Sequence, residues 1–290
     1  MPDRHEHDLA IKTPALYVVA TPLGNLGDIT LRALGVLRGV DAIACEDTRH
    51  TRHLLDHHGI RVATFALHEH NEAAAAQKLI AMLAEGKRVA LVCDAGTPGL
   101  SDPGARAVAA VRAVGYPVIP LPGANAAIVA LSAAGLADPQ ILFVGFLSAR
   151  APARRRQIET FKSVPAALVF YEAPHRIVDT IADLAELLEP QRTLVVAREL
   201  TKLFEQIASM PLPDAPAWLA TDPTRQRGEF VLLVSAPPPA GELPAAALRT
   251  LRLLLAELPL KQAVKLAAEI SGRAKNTLYD QALAWQREKL

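Results

Sequence analysis

The segments ALVCDAGTPGLSDPG (residues 90–104) and PGANAA (122–127) place dense runs of Gly, Pro and Asp directly after apolar stretches. A strand that ends in such a run can bring its backbone N–H groups close to a ligand, because Gly has no Cβ and tolerates unusual φ. Ser101 or Asp102 is the natural N-cap of the helix that follows, and Pro103 suits its first turn. The chemistry is that of an enzyme cradling a small ligand at a strand end. A tight turn would explain one such loop; several converging on one sheet edge point to a ligand.

The other polar clusters are EDTRHT (46–51), HEHNE (68–72), YEAPHRI (171–177) and RELTKLFE (198–205). His50, His53 and His57 share a helical spacing, and His68 and His70 lie close by, but no HExxH or Cys-bearing ligand pattern accompanies them. No metal is expected. Asn71 and Glu72 open a helix, with Asn as N-cap and Glu favoured at the positive end. The first loop, ATPLGNLGD, lacks GxGxxG, and no GxxxxGK[ST] occurs, which speaks against a dinucleotide oxidoreductase or a P-loop enzyme.

These loops need a scaffold. ALYVVA (15–20), DAIAC (41–45), RVATFAL (61–67), RVALVC (88–93) and PVIPL (117–121) read as strands, alternating with helices near 28–38, 49–58, 71–85, 103–114 and 125–136. Such alternation predicts a mostly parallel sheet covered on both faces, with ligands at the strands' carboxyl ends. The second half reads ILFVGF (141–146), ALVFYE (167–172), TLVVARE (193–199), LFEQIAS (203–209) and GEFVLLVS (228–235) as strands of a mixed sheet. AAGLADP (134–140) divides the halves, giving expected domains 1–134, 135–237 and a C-terminal helical region 238–290 after the Pro-rich PPPAGELP. A Ser-Gly break at 271–272 gives that last region a helix–turn–helix shape.

Across 290 residues, 31 Lys and Arg face 30 Asp and Glu, so nucleic-acid binding would require a local basic face. Arg150, Arg154, Arg155 and Arg156 form such a cluster in a solvated loop after the GFL strand. Arg49, Arg52, His175 and Arg176 share that side of the cleft, with Arg225 and Arg227 as a second cluster; arginine forks suit phosphates. Cys45 and Cys93 each end an apolar run without a CxxC, as small buried residues in a reducing, cytoplasmic setting. The N-terminal MPDRHEHDLA has no apolar core, and Pro117, Pro120, Pro122 and Gly123 break the one long uncharged stretch. Neither a secretory signal nor a membrane span is expected.

In order, TPLGNLGDIT, EDTRHT, HEHNE, DAGTPGLSDPG, PGANAAIVALSAAGL, FVGFL, YEAPHRI, RELTKLFE and GEFVLLV resemble the ribosomal small-subunit RNA methyltransferase I family, over roughly residues 14–236. Its members are similar in fold to the tetrapyrrole (precorrin) methylases. The resemblance implies two α/β domains, S-adenosylmethionine in the cleft between them, a homodimer, and methylation of the ribose 2′-oxygen of a cytidine in 16S ribosomal RNA, free or in the assembled small subunit. It maps cofactor contacts onto Pro22, Asp94, Ala95, Gly96, Thr97, Leu100, Asn125, Ala126, Tyr171 and Leu200. The sequence departs from the family at Ala124 and Asn125, where Pro and Ser are usual, and at Ser148, where Pro is usual.

A ribose hydroxyl needs a positioned acceptor for its proton. Glu46, Asp47, Glu199 and Glu205 are candidates, while Arg198 and Lys202 suit phosphate binding or electrostatic activation of the hydroxyl. Glu199 and Glu205 pairing with Arg198 and Lys202 as surface charges is the competing reading. RNA contacts are expected from Arg49, Arg150, Arg154, Arg155, Arg156, Arg176 and Arg198. The alternatives are the same fold and cofactor acting on a tetrapyrrole or other small substrate, and a non-catalytic ribosome- or nucleic-acid-binding factor that uses its helical tail.

Overall fold

Short apolar runs buried on both faces build the first sheet. A computed structural model, describing residues 14–238 and 243–287, forms β1 (Ala15–Val19), β2 (Ala42–Cys45), β3 (Thr64–Ala66), β4 (Arg88–Leu91) and β5 (Val118–Leu121). All pairs are parallel, in the order β3-β2-β4-β1-β5. Alternate residues separate two cores. Ala15, Tyr17, Val19, Ile43 and Cys45 pack toward α1 (Leu31–Gly39) and α2 (Thr48–His57). Leu16, Ala42, Ala44, Val89 and Leu91 pack toward α3 (Glu72–Ala84) and α4 (Ala105–Ala113). The strand order sets the ends of β2, β4, β1 and β5 side by side, so the loops after them share one edge.

The second sheet comprises β6 (Ile141–Phe146), β7 (Ala167–Glu172), β8 (Thr193–Arg198), β9 (Gln206–Pro211) and β10 (Phe230–Val234), ordered β6-β7-β10-β8-β9. Only β6 and β7 pair in parallel, so the sheet is mixed. One face carries Leu168, Phe170, Leu194, Val196 and Leu232 beneath α6 (Ala151–Phe161), α7 (Ile177–Leu187) and α8 (Ala215–Ala220). The other packs Val169, Val195, Ala197, Val231 and Leu233 against Ala127, Ala130 and Ala134 of α5 (Ala126–Ala134). These three alanines lie on one helix face, and their small side chains let α5 approach the sheet closely. The expected boundary at 134/135 therefore separates α5 from the core it helps to form. Residues to Pro237 make one compact unit, and those from Pro238 make another.

Several boundaries moved for identifiable reasons. β3 pairs over three residues, and β4 stops before Cys93, whose carbonyl accepts from Thr21 Oγ1 at 3.0 Å. β9 begins at Gln206 because Thr201 N–H donates to Glu205 Oε2 at 2.6 Å, closing a turn where strand was expected. The segment expected as an arginine loop is helix α6, with Pro152 in its first turn.

In the C-terminal unit, α9 (Ala245–Glu257), α10 (Leu260–Ser271) and α11 (Lys275–Arg287) share a core of Leu251, Val264, Ala267, Leu278 and Ala282. Gly272, at φ +65°, ends α10 in the left-handed conformation. The Arg252 guanidinium stacks 4.5 Å from the Trp285 ring centroid. Among the described residues, no helix is long and apolar enough to cross a membrane.

Candidate active site

The loop after β4 is fastened where it leaves the sheet. Thr21 and Gly96 exchange backbone hydrogen bonds of 2.9 and 3.0 Å, Asp94 Oδ1 accepts from Asp47 N–H at 3.1 Å, and Thr97 Oγ1 donates to Ala124 O at 2.9 Å. Gly96 sits at φ +84°, a conformation that glycine takes without strain. Asn125 Oδ1 caps α5 by accepting from Ile128 N–H at 3.1 Å. The departure from Ser to Asn thus keeps a cap, and it leaves the Nδ2 donor unspent on it. Across the cleft, Tyr171 OH accepts from Ala127 N–H at 3.2 Å, joining the second sheet to the start of α5.

These ties enclose a cavity of about 330 Å³ between the two sheets. Ala95, Gly96, Thr97, Leu100, Asn125, Ala126, Tyr171 and Leu200 line it, with Leu23, Ser101, Asp102, Phe146 and Glu172. Pro22 and Asp94 line a second cavity of about 560 Å³, together with His50, His53, Lys202 and Glu229. Leu23, Ala95 and Glu229 belong to both walls.

The proposed proton acceptors separate by environment. Asp47 caps α2 through Arg49 N–H at 2.7 Å, and its ion pair with the exposed Arg49 holds its pKa down at about 2. Glu205 is committed to the Thr201 amide. Burial opposes ionisation of Glu199, but Lys202 Nζ at 2.9 Å and the Glu229 N–H at 3.0 Å outweigh it and lower its pKa. Lys202 also meets Glu229 Oε2 at 2.8 Å; its two carboxylate partners overcome desolvation and keep it protonated. Asp47 and Glu199 are thus held as carboxylates of lowered proton affinity, and Lys202 as an ammonium between Glu199 and Glu229. Burial raises the pKa of Glu46, with the nearby Asp94 charge adding to the effect. Burial likewise pushes Asp102 up to about 6, assisted by the charges of Glu46 and Asp94. Asp102 was legible in the sequence only as a helix cap.

The N-cap of α4 is Gly104 at φ +126°, neither Ser101 nor Asp102, and Pro103 precedes the helix. That positive φ favours glycine, and a Cβ there would also press on the Leu91 side chain, 2.9 Å from its Cδ2. Asn71 stands at the N-cap of α3 as expected, but its side chain turns away from the helix: Oδ1 accepts from His68 N–H at 2.8 Å and Nδ2 donates to Ala66 O at 3.1 Å. Arg154 is not on an RNA-facing loop; its side chain is 4% exposed and pairs with Asp183 at 2.7 Å. Arg155 pairs with Asp183 and Glu186. Arg176 bonds Leu147 O and lies 3.1 Å from the fully buried Glu172 carboxylate, fastening the cavity wall instead of facing solvent. Arg198 donates to Arg227 O at 3.2 Å. Arg150 and Arg156 remain exposed. Among the described residues, no His, Cys, Asp and Glu group is arranged to hold a metal.

Backbone strain concentrates here. Ser101 (φ +65°), Glu199 (+53°) and Thr201 (+67°) are the non-glycine residues in the left-handed region among those described. Each costs on the order of 1–3 kcal/mol, a cost that persists where surrounding structure enforces it.

Comparison with known proteins bears on this geometry. Residues 15–216 match the family model described as Tetrapyrrole (Corrin/Porphyrin) Methylases, and residues 241–286 match the RsmI C-terminal HTH domain. The fold is similar to the crystal structures of the methyltransferase CobJ (TM-score 0.58, 21% identity, 76% of this chain and 93% of that one) and of diphthine synthase (0.59, 18%, 77% and 90%). The uroporphyrin-III C-methyl transferase from Thermus thermophilus, solved with S-adenyl homocysteine, is similar at TM-score 0.55 and 17% identity, covering 76% of this chain and 97% of that one. The Ribosomal RNA small subunit methyltransferase I of Escherichia coli O157:H7 is 52% identical, over 93% of this chain and 95% of its own. That of Pseudomonas aeruginosa is 50% identical over 93% and 97%. A two-sheet methylase fold, a helical C-terminal unit and identity at this level along nearly the whole chain place this protein in the ribosomal RNA small subunit methyltransferase I family.

Proposed function

We propose that the protein transfers the methyl group of S-adenosylmethionine to the ribose 2′-oxygen of a cytidine in 16S ribosomal RNA. The observation that carries this reading is the pair of adjoining cavities with Leu23, Ala95 and Glu229 in common. The smaller is the donor site and the larger admits the acceptor nucleoside.

The residues present fit the cofactor. Gly96 allows close backbone approach, and the apolar walls of Leu23, Leu100 and Phe146 suit an adenosyl group. The high-pKa carboxyl group of Asp102 stands beside Asp94 and Glu46, a setting that favours a ligand bearing positive charge. When bound, S-adenosylmethionine supplies a methyl group already activated on a cationic sulfur. The protein's tasks are then orientation, exclusion of water and handling of the acceptor's proton. Lys202 presents an ammonium at the acceptor cavity, where it favours negative charge developing on an attacking oxygen. Asp102, which lines the donor cavity and has raised proton affinity, is the carboxyl group placed to take the proton, whereas Glu46, also of raised proton affinity, lines neither cavity.

For RNA, the exposed Arg150 just before α6 and Arg156 on it, with Arg49 and Arg52 on α2, offer phosphate contacts. A homodimer is supported by Leu203 and Phe204, 89% and 68% exposed just before the edge strand β9. Two free buried cysteines suit the cytoplasm. The test is transfer of labelled methyl from S-adenosylmethionine to small ribosomal subunits from a strain lacking this gene, with free ribosomal RNA and a tetrapyrrole precursor alongside. Label on a nuclease-resistant 2′-O-methyl nucleotide is expected. Label on the tetrapyrrole alone would refute the proposal.

A further inference from the structure

The loop carrying Asp94 to Asp102 is held at its start by Thr21, Asp47 and Ala124, but its far end has a different anchor. Helix α4 has no side-chain cap of its own, since Gly104 occupies that position. Its first free N–H groups point instead at Oε1 of Glu72, which accepts from Gly104 at 2.9 Å, Arg106 at 3.0 Å and Ala107 at 3.4 Å. Glu72 is itself the first residue of α3 and is buried. One carboxylate thus sits at the positive ends of two helices, where charge-assisted hydrogen bonds are strongest.

Between the two anchors lie Gly99 at φ +83° and Ser101 at φ +65°, and within this stretch the Asp102 carboxyl group shares a side-chain hydrogen bond with Cys93. Leu100, Ser101 and Asp102 line the donor cavity and immediately precede the Glu72-bound amides. We infer that Glu72 is a positioning residue for methyl transfer: by capping α4 from α3, it fixes the far end of the cofactor loop and so places Leu100 and Asp102 in the donor cavity. It touches neither cavity itself, and the assignment rests on the donor-site reading above.

The test compares wild type, Glu72→Ala and Glu72→Gln in the full-length protein, by amide hydrogen exchange without ligand and by calorimetric titration with S-adenosylmethionine and S-adenosylhomocysteine. In Glu72→Ala, exchange at 99–107 is expected to rise about 10-fold or more, while the β1 and β2 amides stay protected. Affinity for both ligands is expected to fall about 10-fold, and KM for the donor to rise more than kcat falls. Glu72→Gln, which keeps an acceptor but loses the charge, is expected to restore part of both effects, and it carries the test should the alanine variant not fold. Wild-type exchange at 99–107 and wild-type affinity in the glutamine variant and in any folded alanine variant would overturn the inference. So would a fall in melting temperature with ligand affinity and KM unchanged. Failure of the wild type to bind either ligand would instead refute the donor-site reading, leaving the exchange result to decide the role of Glu72.

Discussion

Lys202 occupies the space that a side chain at position 24 would need: a Cβ built on Gly24 would fall 2.4 Å from Lys202 Cγ and 2.9 Å from its Cε. Gly228 makes the same allowance for Glu199, whose Cγ lies 2.4 Å from where a Cβ would stand. Two glycines far apart in sequence thus leave room for the Glu199–Lys202–Glu229 ion pairs. Gly24→Ala is expected to displace the ammonium and lower kcat about 100-fold, the scale of losing one electrostatic stabiliser, with donor affinity unchanged. Single-turnover kinetics with a parallel titration of S-adenosylhomocysteine separates the two effects.

Gly96→Val places a branched side chain at φ +84°, against Leu23 and into the donor cavity. Loss of measurable S-adenosylmethionine binding is expected, with a stability cost of about 1–3 kcal/mol from the backbone conformation. Calorimetry and urea denaturation measure these separately, and normal affinity would remove Gly96 from the site.

Asp102 gives a pH dependence with a definite sign. Its pKa is raised to about 6 in the folded protein from 3.8, so between those values the folded state holds a proton that the unfolded state has lost. Its contribution to stability is therefore fully present below about pH 4 and is lost as pH rises through 6. A cationic ligand favours the carboxylate, so affinity for S-adenosylmethionine should rise from pH 5 to 7. S-adenosylhomocysteine, uncharged at sulfur, should respond much less. Asp102→Asn should flatten the difference; equal profiles for both ligands in wild type would count against this electrostatic role.

Arg154 and its neighbours divide between fold and surface. Arg154→Ala leaves Asp183 with Arg155 as its remaining ionic partner and should destabilise the protein by about 3 kcal/mol, measured by denaturation. The double variant Arg150→Ala/Arg156→Ala should leave stability unchanged, weaken RNA binding and make the salt dependence shallower, by a slope of roughly 0.7–0.9 per lost phosphate contact.

Much of this site was readable from residue order, and the unread part has physical causes. The β1, β4 and β5 loops were legible because Gly and Pro after buried strands are local signals. The strand order that brings those loops together was predictable only as a class, since it depends on pairings distant in sequence. Arg154 looked like its neighbours because burial depends on Asp183, in another helix. Glu72 read as a cap on its own helix, while the amides it serves lie in α4. The proton affinity of Asp102 arises from enclosure by the second sheet, which no local pattern encodes.

The wall between the two cavities is thin, since Leu23 and Ala95 face both. A bisubstrate ligand that links an adenosyl group to a nucleoside across that wall would turn its second binding event into an intramolecular one. Such a compound should bind at least about 100-fold more tightly than its stronger half. Its optimal linker length would then measure, in solution, the distance over which the methyl group must travel.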